Sequence, residues 1–237
     1  MRTIKKLLGC FSRGELALWG FSTGILLLTF LLFDRGNWTT LAASVIGVTS
    51  LLFCAKGNPL GPILLIVFSL LYGIISFTFR YYGEMITYLG MSAPMAVVTL
   101  IAWLRNPFHG NRAEVTVYRV KAKEMAAAFL LSAVVTLVFY FLLEALHTAN
   151  LLPSTLSVTT TFLAVYLTFR RSPYYALAYA ANDGILVVLW VLAAMDDRSY
   201  LPVAVCFLLF LINDLYGFVN WRKMEKRQRC AGLPSPD

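Results

Sequence analysis

Residues 174–194 read Tyr-Tyr-Ala-Leu-Ala-Tyr-Ala-Ala-Asn-Asp-Gly-Ile-Leu-Val-Val-Leu-Trp-Val-Leu-Ala-Ala, with one aspartate and no Lys, Arg or Glu. A helix needs about 20 mainly apolar residues to cross a hydrocarbon core about 30 Å thick, and this stretch supplies them. Seven more stretches of the same kind, at 15–33, 39–55, 60–80, 84–104, 124–147, 154–170 and 200–221, bring the predicted spans to eight. Barrel strands would be about 10 residues of alternating polarity, so the chain reads as an all-α membrane protein. Its 237 residues are 59% apolar and 14% charged, with a mean hydropathy of +0.72. Soluble domains run at about 45–50% apolar and about 25% charged, and disordered chains are poorer still in apolar residues, so both classes are excluded.

Charge sets the predicted orientation. Arg2, Lys5, Lys6, Arg13, Lys56, Arg105, Arg112, Arg119, Lys121, Lys123, Arg170, Arg171, Arg222, Lys223, Lys226, Arg227 and Arg229 fall in one alternate set of loops, and only Arg35, Arg80 and Arg198 in the other. A bias of 17 to 3 predicts a multi-pass protein with both termini in the cytoplasm. It also explains the net charge of +8 without nucleic acid as a partner. The run from Leu16 to Phe33 is too long for a signal-peptide core and is read as a retained span. Cys10, Cys54, Cys206 and Cys230 show no paired framework and are read as unbridged.

The predicted organisation is an interfacial segment at 1–14, an extra N-terminal span at 15–33, a three-helix unit at 39–104, a loop at 105–123, a linker span at 124–147, a second three-helix unit at 154–221 and a basic cytoplasmic tail at 222–237. Two pairs of landmarks mark the units as repeats. Lys56-Gly-Asn-Pro59 matches Arg170-Arg-Ser-Pro173 at an offset of 114, and Trp103-Leu-Arg105 matches Trp221-Arg-Lys223 at 118. One linker helix between them gives both units the same orientation, the 3+1+3 plan of SWEET-type transporters. The loops are too short for a soluble catalytic domain, and there is no Walker-type loop, His-Glu-x-x-His or Cys-x-x-Cys. With histidine only at 109 and 147, outside the spans' centres, no enzyme activity, cofactor or metal is expected.

Ionisable groups inside a bilayer cost several kcal/mol unless they face a partner or a cavity. Glu84 and Glu144 lie near span ends and are read as solvated carboxylates at the interface. Asp183 and Asp214 lie deeper, each preceded by an asparagine, and the pairs Asn182-Asp183 and Asn213-Asp214 fall at one depth on neighbouring antiparallel helices. At 100° per residue Tyr175, Tyr179, Asn182, Asp183 and Trp190 share one face of the seventh span, and Asn213, Tyr216 and Asn220 form a stripe on the eighth, away from Asp214. Aromatic faces stack planar rings or attract cations, and buried amides hydrogen-bond hydroxyls or a carboxamide. The expected ligand is a planar, polar or cationic solute. No Lys or Arg sits at mid-membrane to receive a phosphate. A purely structural role, with the carboxylates bonded to hydroxyls such as those of Thr159 to Thr161, is the alternative.

Residues 181–193 (Ala-Asn-Asp-Gly-Ile-Leu-Val-Val-Leu-Trp-Val-Leu-Ala), Tyr200-Leu-Pro202, Cys206-Phe207 and the run from Asn213-Asp-Leu-Tyr-Gly-Phe-Val-Asn-Trp221 to Gln228 resemble the C-terminal half of the PnuC vitamin transporter family. Gly47 to Gly57 and Tyr82-Gly-Glu84 extend the resemblance over nearly all of the chain after the first span. It implies uptake of nicotinamide riboside, an NAD precursor, through a SWEET-like 3+1+3 bundle in a bacterial plasma membrane. It also implies a homotrimer, facilitated diffusion, and trapping of the substrate by a cytoplasmic kinase. The family's tryptophan-x-x-tryptophan-x-x-x-asparagine pattern falls on Tyr175, Ala178 and Asn182, and Ala96 stands where relatives carry an amide in the fourth span. Related members leave thiamine, riboflavin and deoxynucleosides open as cargo, with or without proton coupling through Asp183 or Asp214. The site expected from residues and resemblance together is Asn182, Asp183, Trp190, Asn213, Tyr216, Asn220, Tyr175, Tyr179 and Asp214.

Overall fold

A computed structural model describes residues 11–78, 81–148 and 150–232. Among them are eight helices long and apolar enough to cross a membrane: α1 (Arg13–Phe33), α2 (Trp38–Ala55), α3 (Leu60–Thr78), α4 (Tyr82–Arg105), α5 (Ala122–Ala145), α6 (Leu151–Phe169), α7 (Tyr175–Asp196) and α8 (Leu201–Cys230). Most of the segment expected to lie at the interface, residues 1–14, falls outside the described residues. Its end is a capping box, in which Ser12 Oγ accepts from the Glu15 amide at 3.2 Å and Glu15 Oε2 accepts from the Ser12 amide at 2.6 Å.

Packing follows the repeat. In the first unit α3 packs on α2 and α4, and in the second α7 packs on α6 and α8. The units meet where α2 packs on α8 and α4 on α6, so the first helix of each touches the third helix of the other. Membrane helices associate through close van der Waals contact and interhelical hydrogen bonds, and small residues make the approach possible. At the α2–α3 turn a Cβ on Gly61 would lie 2.5 Å from Cys54 Sγ and 2.7 Å from the Cys54 amide nitrogen, so only glycine fits there. α1 lies outside the units against α2 and α8, and α5 packs on α6. Ser132 Oγ donates to the Thr159 carbonyl at 3.2 Å, and the Thr136 and Thr159 hydroxyls bond at 2.7 Å, while Leu130, 71% exposed, faces outward.

At the basic end the 105–123 loop folds into a hairpin, β1 (Pro107–Phe108) with β2 (Asn111–Val115), that the hydropathy pattern does not announce. The tail expected beyond residue 221 continues α8 as helix to Cys230, because the hairpin straps it down. Gln228 Oε1 accepts from the Val117 amide at 2.8 Å, Arg119 pairs with Glu225 at 2.7 Å, and Arg227 pairs with Glu114. Glu84 departs from the interfacial position expected of it. It is 1% exposed rather than solvated, and its Oε1 accepts from Ser157 Oγ at 2.7 Å, because the first turn of α4 packs against α6. Glu144 is exposed, as expected of an interfacial carboxylate.

Candidate functional site

α7 and α8 run antiparallel and bring Asp183 and Asp214 side by side in the interior, each 3% exposed, with their carboxyl groups within hydrogen-bonding reach of one another. Both line a central cavity. One helical turn towards the basic end Tyr179 joins them, and a further turn on Tyr175 closes that wall. Thr168 of α6 and Gly47, Leu51 and Cys54 of α2 complete that side, and Phe68 and Phe210 face them. No lysine or arginine is among the lining residues.

α4 contributes through an irregularity. Residues Thr87–Ser92 form a π-helical turn, whose extra residue per turn re-aims Tyr88 and Ser92 into the cavity. Asp183 Oδ2 and Ser92 Oγ, both buried, find no hydrogen-bond partner in the protein. Leaving a buried polar atom unsatisfied costs about 1–3 kcal/mol, which a polar group entering the cavity would offset. The cavity itself holds about 30 Å3, room for a water or two. A nucleoside-sized solute enters only when the walls move apart.

Aromatic layers close both ends. Away from the basic end, Trp190 Nε1 donates to the Tyr72 hydroxyl at 2.6 Å, and Tyr72 packs on Tyr88 with ring centroids 4.4 Å apart and on Phe207 at 5.3 Å. At the basic end, Trp221 packs on Tyr175 at 5.1 Å and on Trp103 at 5.6 Å.

Of the residues expected to form the site, Tyr175, Tyr179, Asp183 and Asp214 come together on the cavity, and Trp190 stands in the closing layer away from the basic end. The others are engaged elsewhere. Asn182 Oδ1 accepts from the hydroxyls of Thr160 at 2.9 Å and Thr161 at 3.0 Å, tying α7 to α6. Asn213 Nδ2 donates to Ser22 Oγ at 3.2 Å and to the Leu209 carbonyl at 2.8 Å. The Tyr216 hydroxyl donates to Glu15 at 2.8 Å, and Asn220 Nδ2 to the Ala55 carbonyl at 2.7 Å. The polar stripe of α8 thus bonds to α1 and α2. Tyr88, Ser92, Phe68 and Phe210 were absent from the expected site. A π-helical turn leaves no periodic signal, and the aromatics read as ordinary apolar span residues.

A family model described as nicotinamide mononucleotide transporter matches residues 37–223, from the start of α2 into the basic extension of α8. The chain belongs to that family. This family consists of membrane transporters, so the protein is a transporter and not an enzyme, and the resemblance to PnuC transporters holds. A nicotinamide riboside transporter PnuC of Neisseria mucosa is 26% identical over 200 residues, covering 82% of this chain and 76% of that one. A second, from Haemophilus influenzae, is 22% identical over 192 residues, covering 81% and 82%. The crystal structure of a vitamin B3 transporter PnuC superposes with a TM-score of 0.81 at 23% identity, over 92% of this chain and 94% of that one. That likeness establishes the transporter fold. Tyr179, next to Ala178, lines the cavity.

Proposed function

We propose that the protein carries nicotinamide riboside through the membrane by facilitated diffusion, with the solute held between Asp183, Asp214, Tyr175 and Tyr179. The observation that carries this reading is a buried pair of carboxyl groups flanked by tyrosine rings, with no basic residue on the cavity wall. The nicotinamide ring of the riboside is a pyridinium cation, flat and aromatic. Carboxylates neutralise its charge and tyrosine faces attract it, most strongly where water is excluded. Hydroxyls such as that of Ser92 suit the ribose. The mononucleotide adds an anionic phosphate that this cavity has no cation to receive, so the riboside is the better cargo. The names of the two curated relatives support the same choice.

Transport then proceeds by alternate parting of the two aromatic layers as one three-helix unit rocks on the other in a SWEET-like 3+1+3 arrangement. The basic end is read as cytoplasmic from its excess of Lys and Arg, with a kinase there trapping the riboside by phosphorylation. A homotrimer in a bacterial plasma membrane is the expected setting, and the exposed apolar faces of α1 and α5 are available for subunits or lipid.

The decisive experiment is calorimetric titration of the purified protein with nicotinamide riboside, its mononucleotide, thiamine and riboflavin. Saturable binding of the riboside, at least tenfold weaker binding of the mononucleotide, and loss in Asp183→Asn at an unchanged melting temperature are expected. Preference for thiamine or riboflavin would overturn the cargo, and mononucleotide binding as tight as the riboside's would overturn the charge argument.

A further inference from the structure

A second concavity opens at the basic end, outside the aromatic layer of Trp103 and Trp221. It measures about 400 Å3 and is lined by Lys56 and Asn58 of the α2–α3 turn, Asn111 and Glu114 of β2, and Lys223 and Arg227 of α8. We propose that this cleft is a separate binding site for a phosphate-bearing anion of nucleotide size.

Its chemistry is the reverse of the central cavity's. Three cations line it: Lys56 pairs with Glu15 at 3.0 Å, and Arg227 pairs with Glu114, which also accepts from Gln228 Nε2 at 2.9 Å, so among the described residues Lys223 is the lining cation with no ion pair. Asn58 and Asn111 each spend their side-chain oxygen on a backbone amide, that of Leu60 and that of Ala113, both at 3.0 Å. Their NH2 groups, with two hydrogens each, remain as donors on the cleft wall. Lys223 is exposed at its rim. Ammonium and guanidinium groups beside neutral amide donors are the set that phosphate oxygens recognise, through charge-assisted hydrogen bonds.

The position gives such an anion a consequence. It would bridge the α2–α3 turn of the first unit and the basic extension of α8 in the second. Directly beneath, Asn220 bonds to the Ala55 carbonyl at 2.7 Å and Trp221 to the Cys54 carbonyl at 2.8 Å, and these bonds join the same two segments. Occupancy therefore holds the basic end shut and slows exchange of solute through it. This inference does not rest on the identity of the cargo.

The test uses the full chain in phosphatidylcholine nanodiscs, titrated by calorimetry with AMP, ATP, inorganic phosphate and, as a control lacking phosphate, adenosine. AMP and ATP are expected to bind saturably and adenosine not at all, with roughly tenfold weakening in Lys223→Glu, rescue in Lys223→Arg, and weakening by salt. A parallel series in phosphatidylglycerol nanodiscs separates the sources. Loss of AMP binding there makes a lipid headgroup the occupant, whereas unchanged AMP binding makes it a soluble nucleotide. Adenosine binding as tightly as AMP, no saturable binding of any phosphate, or full affinity in a normally melting Lys223→Glu variant would each overturn the proposal.

Discussion

Trp103 and Trp221 pack with tilted rings whose centroids lie 5.6 Å apart, and each reaches across to the other's unit: Trp103 Nε1 donates to the Thr168 carbonyl at 3.0 Å, and Trp221 Nε1 to the Cys54 carbonyl at 2.8 Å. The two donors are 118 residues apart and the two acceptors 114, the same offsets that mark the sequence repeat. The third helix of each unit is thus clasped to the end of the other's first helix by reciprocal bonds. At the opposite end Tyr72 and Trp190, also 118 apart, bond directly at 2.6 Å. Equivalent positions of the two units meet at both ends of the cavity.

Removing one half of the basic-end clasp tests its strength. Trp221→Phe keeps a ring against Trp103 and Tyr175 but leaves the buried Cys54 carbonyl without its indole partner. A loss of about 1–2 kcal/mol is expected, read as a lower melting temperature in detergent, with solute affinity changed less than threefold. An unchanged melting temperature would mean that the bond contributes nothing to holding the units together.

Tyr72→Phe removes the hydroxyl that accepts from the Trp190 indole at the other closure, a cost of about 1–3 kcal/mol borne by the closed state. Opening at that end becomes easier. Solute exchange measured in proteoliposomes is expected to quicken several-fold while the melting temperature falls. If exchange stays at the wild-type rate, this hydrogen bond is not part of the closure.

How much of this was legible in the sequence follows from what each signal measures. Hydropathy counts apolar residues along the chain, so all eight spans were found, most boundaries within a few residues. Where α8 ends was not, because its last turns are held by Gln228, Glu225 and Arg227 against a hairpin far away in sequence. On α7 helical spacing placed Tyr175, Tyr179 and Asp183 on one face, and they share the cavity. On α8 the same spacing defined a polar stripe but not its direction, since lipid, neighbouring helix and solute can each lie opposite such a face. Ser22, Glu15 and Ala55 turn out to be its partners. The burial of Glu84 escapes the sequence for a related reason: distance from a span end says nothing of what packs around it.

Gly47 sits where α2 passes the ring of Phe210, and a Cβ there would lie 2.2 Å from Phe210 Cζ. The ring cannot stay, and its nearest free space is the cavity it lines. Gly47→Ala is therefore expected to weaken solute binding at least tenfold by pushing Phe210 inward. Gly24→Ala on α1, where nothing lies within 4 Å of the new Cβ, is the matched control and is expected to bind normally. Equal affinity in both variants would show that the Phe210 position is not set by this contact.

If the carboxyl pair recognises the ring's charge, the reduced dihydronicotinamide riboside, which has the same sugar and carboxamide but a neutral ring, is a sharper probe than any unrelated vitamin. It is expected to bind at least tenfold more weakly than the oxidised form, a difference of about 1.4 kcal/mol, modest for a charge facing carboxylates in a closed site. Asp183→Asn and Asp214→Asn remove the attraction, so in those variants the oxidised riboside should lose affinity while the reduced one changes little, and the gap between them should shrink. Competition binding with both forms measures this directly. Equal affinities in the wild type would assign recognition to the tyrosine faces and the ribose contacts, with Asp183 and Asp214 left as a structural pair joining α7 to α8.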